Sequence, residues 1–408
     1  MEMQRKTVHL GKVYFWYLFL VLFLQIIGLD GTSNMLEMVW KAGVISCTML
    51  YIIYKKSWRV SKRLVLPCIL YVVGQLLAYM NFSGATVNTF VNCAVVIGMA
   101  YMFLSLSSSD CGFTPEDMLW FINAFTVLML YAVVYQIVKN PSAVFGALLN
   151  GSVYDNMMSS FFDNKQTFGM FLFVAIIVSC LGMALTKKKR HLFFAGVFFA
   201  MLFVCSSRTS LLACVVFILL MLVLFFRSNK NLAFGVSVLV GMFVLLLLIV
   251  PSLNRFVTDV LFDTEATVNA REIIWDASFR AMRGVKVLFG YGEGNVGTVI
   301  RGVDAELVGN AHNGFLHVFV TGGVVKLLLY VVVVACSIVS IARMYKHNTA
   351  LANVFFAAIV SLIVFSFGES LVLLDTSAPC VAASIVGVAF PIAANGYYNG
   401  GTHGTNES

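Results

Sequence analysis

Nothing restricts the fold of this chain more than its succession of apolar stretches, each close to the length of a bilayer crossing. A hydrocarbon core of about 30 Å takes roughly 20 apolar residues per helix. Stretches of that kind run over 13–29, 35–54, 64–80, 85–106, 117–138, 167–186, 192–206, 210–226, 232–250, 315–342, 350–368 and 379–395. Residues are 60% hydrophobic and 11% charged, where a soluble domain carries about 25% charged residues. The expectation is an all-α polytopic membrane protein of about twelve transmembrane helices. Two stretches are irregular: 35–54 carries Glu37 and Lys41, and 350–368 is ragged at its outer end.

A net charge of +8 invites a nucleic-acid reading, but the basic residues are distributed as topogenic signals. Short cytoplasmic loops carry the excess of Lys and Arg. With the N-terminus in the cytoplasm, the inner side receives Arg5, Lys6 and Lys12, then Lys55, Lys56, Arg59, Lys62 and Arg63. Lys187 to Arg190, Arg227, Lys230, Arg343 and Lys346 join them. Both termini are therefore expected inside, and no nucleic acid is expected as a partner. The loop 107–116 has neither Lys nor Arg and does not support the scheme. The first apolar stretch lacks a small-residue cleavage site and reads as a retained anchor. Nine scattered Cys without a C-x-x-C pair form neither a disulfide framework nor a zinc site. There is no repeat. The division expected is 1–250 with nine helices, a long outer loop at 251–314, three helices at 315–395, and a disordered tail at 396–408.

On this topology the polar residues of interest gather on the outer face. Gly309-Asn310-Ala311-His312-Asn313-Gly314 closes the long loop and opens the apolar stretch from Phe315. Of six His, only His312 and His317 fall outside, and histidine is the side chain suited to accept a proton near neutral pH. Asn313 is equally a good helix cap. Arg208 sits in the short turn Ser206-Ser207-Arg208-Thr209-Ser210. It can snorkel to headgroups or offer a bidentate fork to a phosphate. Thr264 to Gly284 reads as a surface helix with Arg271, Trp275, Ser278 and Met282 on one face. Gly292, Gly294 and Gly297 match G-x-G-x-x-G. No βαβ unit surrounds them, so a dinucleotide site is rejected. A turn remains, or a backbone that offers N–H groups to a phosphate.

Asp263-Thr264-Glu265 and Asp304-Ala305-Glu306 are acidic pairs read as surface charge rather than metal ligands. Glu369, at the hydrocarbon edge, requires a partner or a function, and an outer arginine is the natural candidate. Lys165 adds a cation ahead of 167–186, with Asp163 or Asn164 as cap. Lys326 lies fourteen residues beyond His312, about 21 Å along a straight helix, and is excluded from the outer site.

Taken in order, these pieces resemble the O-antigen polymerase/O-antigen ligase superfamily of bacterial surface-polysaccharide assembly. The matching residues are Phe162 to Gly169, Ser207-Arg208-Thr209 with Leu211-Leu212-Ala213, Arg271 with Trp275, Phe289-Gly290-Tyr291-Gly292, and His312 to Leu316 with Gly322-Gly323. The chain departs at Gln166, where members often have Asn, and at Gly323-Val324-Val325-Lys326, where an apolar run is typical. The resemblance implies a plasma-membrane glycosyltransferase that acts on undecaprenyl-diphosphate-linked glycan, as donor and acceptor, on the outer side, without metal or cofactor. It implies a flippase and a chain-length regulator as partners besides membrane lipids.

Diphosphate leaves readily, so the needs are cations for developing charge and a base for the acceptor hydroxyl. Arg208 and Arg271 suit the first and His312 the second. Lys165, Gly292, Trp275, Asn313 and Glu369 are expected to bind substrate. A polymerase is favoured over a ligase that transfers glycan to lipid A-core. A transporter would instead require inverted repeats and ionisable residues at the midplane.

Overall fold

The computed structural model describes residues 10–27, 33–55, 62–81, 87–107, 112–150, 158–162, 164–226, 265–303, 310–375 and 377–400. All regular structure among them is helical. The first nine helices are α1 (Leu10–Ile27), α2 (Ser33–Lys55), α3 (Lys62–Asn81), α4 (Val87–Ser105), α5 (Pro115–Lys139), α6 (Pro141–Asn150), α7 (Lys165–Thr186), α8 (Arg190–Cys205) and α9 (Arg208–Phe226). Then come α10 (Glu265–Ala281), α11 (Val285–Phe289), α12 (Val296–Val303), α13 (Gly314–Met344) and α14 (Thr349–Gly368). The last are α15 (Ala378–Ser384), a π-helical turn at Ile385–Ala389 and α16 (Phe390–Gly400).

Among the described residues, six helical spans are long and apolar enough to cross a membrane: α5, α7, α9, α13, α14 and the composite 378–399. The apolar parts of α2, α3, α4 and α8 are shorter; sixteen-residue α8 reaches only about 24 Å. The expected stretch at 232–250 lies outside the described residues, as do residues 251–264 and the pair Asp304–Glu306. The segment between α5 and α7 contains α6, begun by Pro141 at a position where its missing N–H is harmless. One feature differs from the sequence reading. The C-terminal helix continues through Gly400 rather than ending before a free tail. Gly396 is pressed on the carbonyls of Leu106 and Ser107, and Asn399 bonds both Asn395 and His347.

The spans start where side chains can satisfy their first amides. Thr114 forms a capping box with Asp117 at α5. Asn164 Oδ1 accepts from Thr167 N at 2.8 Å to begin α7, and Asn348 does the same for α14. Left-handed Lys187 and Ser206 end α7 and α8, so α7, α8 and α9 form consecutive antiparallel hairpins. The core is centred on α7, apolar on every side and almost wholly buried between α5, α8, α9 and α14, as a helix without a polar face must be. Phe173 stacks on Phe365 of α14 at 5.9 Å, and Phe171 on Phe162 at 4.9 Å.

Alternation of these helices puts one end of the bundle at Lys187–Arg190 and Tyr345–Asn348. The other end carries the starts of α7, α9 and α13 and the end of α14. A second, smaller core lies at that other end. Ile274 and Met282 of α10 and Val296, Val299 and Ile300 of α12 pack there on Ala311, Leu316 and Val320.

Candidate functional site

The site is built where α13 begins. Gly314 is the only residue type that fits at that start, because a Cβ would run into the carbonyl of Leu371. That close approach brings the segment after α14 against the residues before α13. Asn313 caps α13 with its side-chain oxygen, which accepts from Leu316 N at 3.1 Å. His312 is held in the left-handed region at φ 45°, a conformation costing a non-glycine residue roughly 1–2 kcal/mol and tolerated better by His than by most. Its amide bonds Asn310 Oδ1 at 3.2 Å, and Asn310 in turn accepts from the Ser370 hydroxyl.

Glu369 joins the parts. One carboxylate oxygen faces His312 Nδ1 at 3.1 Å, and the other accepts from Arg271 Nη2 at 3.2 Å. The carboxylate is 13% exposed, and its two partners are 29% exposed. Glu369 thus has the arginine partner that its place at the hydrocarbon edge demanded, and histidine as a second. A carboxylate on Nδ1 fixes the ring and leaves Nε2 as the nitrogen available to a substrate. Trp275, one turn after Arg271, donates its indole N–H to the carbonyl of Ala311 at 3.0 Å. So α10 is tied to the residue before His312 by one side chain and to Glu369 by another.

Arg208 and Lys165 reach the same end of the bundle by a different route. Gly368 presses on the Thr209 side chain, and Gly169 on Ser207 and Ser210. The first turn of α9 is therefore wedged between the start of α7 and the residue before Glu369. Cys205 Sγ lies 3.3 Å from the carbonyl of Lys165. Lys165 and Arg208, the first residues of α7 and α9, are partly buried there.

Gly292 is a correction. Its amide donates to the carbonyl of Thr321 at 2.8 Å, and that of Tyr291 to Val320 at 2.9 Å. The amide of Glu293 goes to Gln75 Oε1 at 3.1 Å. The glycine loop gives these N–H groups to the protein rather than to an anion. Its glycines serve close packing: a Cβ on Gly290, at φ 70°, would strike the Thr321–Gly322 peptide. Two further roles are narrower than expected. The side-chain oxygen of Asn313 serves the cap, and the Trp275 N–H holds Ala311.

Sequence reasoning missed Glu293 entirely. The signal was available, since Lys326 in an apolar run requires a counter-charge, and Glu293 lies in a glycine loop able to approach it. Among the described residues no group of three His, Cys, Asp or Glu is placed to hold a metal. The acidic pairs at 263–265 and 304–306 fall outside that description, apart from the backbone of Glu265.

No curated protein matches the chain. Residues 193–331, from α8 to the middle of α13, match the family model described as O-antigen ligase. Arg208, Arg271, Trp275, Gly292, His312 and Asn313 lie inside the matched span, and Lys165 and Glu369 lie outside it. Through this segment the chain is similar to the O-antigen ligase family, which supports the resemblance to the O-antigen ligase/polymerase superfamily read from its sequence.

Proposed function

We propose that the chain is a polymerase that joins undecaprenyl-diphosphate-linked oligosaccharide repeat units into a surface polysaccharide, on the outer side of the plasma membrane. The observation that carries this reading is the Arg271–Glu369–His312 bridge, in which one carboxylate orients a histidine and an arginine at one end of a membrane bundle. His312 Nε2 takes the proton of the acceptor hydroxyl as that oxygen attacks the anomeric carbon of the donor. The bond from that carbon to the diphosphate oxygen breaks, and undecaprenyl diphosphate leaves. Arg208 and Lys165, the first residues of α9 and α7 at that end of the bundle, receive the developing negative charge. Arg271 spends one N–H on Glu369 and keeps the rest of its fork for the same phosphates. These cations meet the electrostatic demand of the step, which on this reading requires no metal.

The orientation that fits is the one in which the Lys187–Arg190 and Arg343–Lys346 ends are cytoplasmic, with residues 251–314 outside and both termini inside. Exposed Ile273 and Phe279 on α10 suit a helix resting on the membrane surface. Partners on this reading are the lipid-linked glycan, membrane lipids, a flippase and a chain-length regulator.

The family description favours one second reading, a ligase that transfers finished glycan to lipid A-core. Both need the same donor site. The polysaccharide of a strain lacking the chain separates them. Single repeat units on the anchor support a polymerase, and lipid-linked polymer beside bare core supports the ligase. An unchanged ladder refutes both.

A further inference from the structure

A second polar cluster lies below the His312 site, and the proposed chemistry makes no use of it. α13 is broken at Gly323, φ 62°, and the loop between α11 and α12 enters at the break. Glu293 from that loop is 5% exposed and forms an ion pair with Lys326 of α13, 4% exposed. The Tyr71 hydroxyl of α3 donates to the same carboxylate oxygen. The Glu293 backbone is held by Gln75, and by Thr89 of α4 at 3.3 Å. Lys326 also donates to Thr321 at 2.9 Å. Charges this far from water persist only when paired, so the loop and α13 are each unsuited to existing without the other.

The cluster connects to the site through a short path. Tyr291, two residues before Glu293, donates its hydroxyl to Ala281 at 2.8 Å. Ala281 is the last residue of α10. Trp275 and Arg271 lie six and ten residues back on that helix, about 9 and 15 Å along its axis. A continuous set of contacts thus connects Glu293, through Tyr291 and α10, to the guanidinium that meets Glu369.

We propose that the Glu293–Lys326 pair is a latch that docks the segment 265–303 on the bundle and so sets Arg271 and Trp275 against the His312–Glu369 site. Both members are positioning residues rather than participants in the reaction. The activity arm of the test rests on the functional reading above; the distance arm does not.

The test uses the full chain in lipid nanodiscs, with spin labels carried on unnatural amino acids at exposed Phe279 and exposed Val331, on α10 and on α13 below its break. Lys326→Met is expected to broaden the inter-label distance distribution and to lower kcat for glycan joining at least tenfold. A disulfide supplies the rescue. A Cβ on Gly74 would lie 3.2 Å from Phe289 Cβ, close to the roughly 3.5–4.5 Å of a disulfide. Gly74→Cys with Phe289→Cys, added to Lys326→Met and oxidised, is expected to narrow the distribution and return most of the activity, and reduction to reverse both.

An unchanged distribution in Lys326→Met overturns the latch. So does a restored distance without restored activity, which would make Lys326 a participant in the chemistry. If Lys326→Met fails to insert, Glu293→Gln, which keeps the shape and removes the charge, is judged by the same two outcomes. Absence of glycan joining by the unmodified protein refutes the functional reading and leaves the distances to decide the latch.

Discussion

Replacing Glu369 by glutamine tests the bridge most directly. The side chain keeps its size, and one carbonyl oxygen remains to accept from either His312 or Arg271, at distances of 3.1 and 3.2 Å in the native protein. The other oxygen becomes an NH₂ group, which cannot accept, so one of the two contacts is lost. A hydrogen bond to a charged group is worth about 1.5–3 kcal/mol, and 1.36 kcal/mol is a tenfold change in rate. The expected loss is therefore about 10- to 150-fold. It should fall on kcat, because the bridge orients the base and the cation in the transition state more than it binds the ground-state donor. The assay is glycan joining by protein reconstituted with lipid-linked donor, with abundance and insertion verified for each variant. Glu369→Asp, one methylene shorter, should lie between the native protein and Glu369→Gln. A Glu369→Gln protein with more than about half the native kcat, or one altered only in KM, would refute the argument that the carboxylate positions the reacting groups.

Four further expectations follow from the same geometry. His312→Ala should lower sugar transfer by about 10²–10⁴-fold, the usual contribution of a general base, with the protein still inserted. His317→Ala, about 140° around the helix, should be mild; more than about a tenth of activity left in His312→Ala would return His312 to a structural role. Arg208→Lys should be poorly tolerated, since a point charge does not reproduce the fork, and native turnover in that variant would indicate snorkelling. A cysteine at exposed Thr298 should react with an impermeant reagent on intact spheroplasts and one at exposed Lys188 should not; the reverse pattern would invert the orientation. Gly323→Ala places a Cβ against the Leu288 backbone at φ 62°, a strain of at least about 1–3 kcal/mol, and should lower abundance; native amounts would show that the break in α13 can be relieved.

Which features could be read from the sequence followed the physics of each. Helix α7 is announced by an unbroken apolar run, and its start by two candidate caps, Asp163 and Asn164, of which Asn164 is the one used. The surface helix α10 was legible because Arg271, Trp275, Ser278 and Met282 recur at helical spacing. The need of Glu369 for an arginine followed from the cost of a carboxylate at the hydrocarbon edge. Which arginine it meets did not, because 98 residues separate Arg271 from Glu369 and no periodicity encodes that contact. The glycine loop was misjudged for a related reason. Gly290, Gly292 and Gly294 do adopt positive φ, but a motif says only that the backbone can approach something closely. That the neighbour is the broken helix α13, rather than a phosphate, depends on Gly323, thirty residues on. The straight-helix estimate for Lys326 likewise could not include a break.

The interruption of α13 also bears on how the protein is made. Backbone carbonyls at membrane depth are tolerated only where protein covers them. Those of Val320 and Thr321 are covered by amides of Tyr291 and Gly292, and the Glu293 beside them is anchored by Tyr71, Gln75 and Thr89. Those last three residues are synthesised some 200 residues earlier and lie outside the O-antigen ligase segment at 193–331. During biogenesis, α3 and α4 must therefore already be in place as a receiving surface when α13 is inserted. A chain begun at residue 193 would carry the matched sequence and most of the candidate site, yet would present α13 and the Glu293 carboxylate with nothing to receive them.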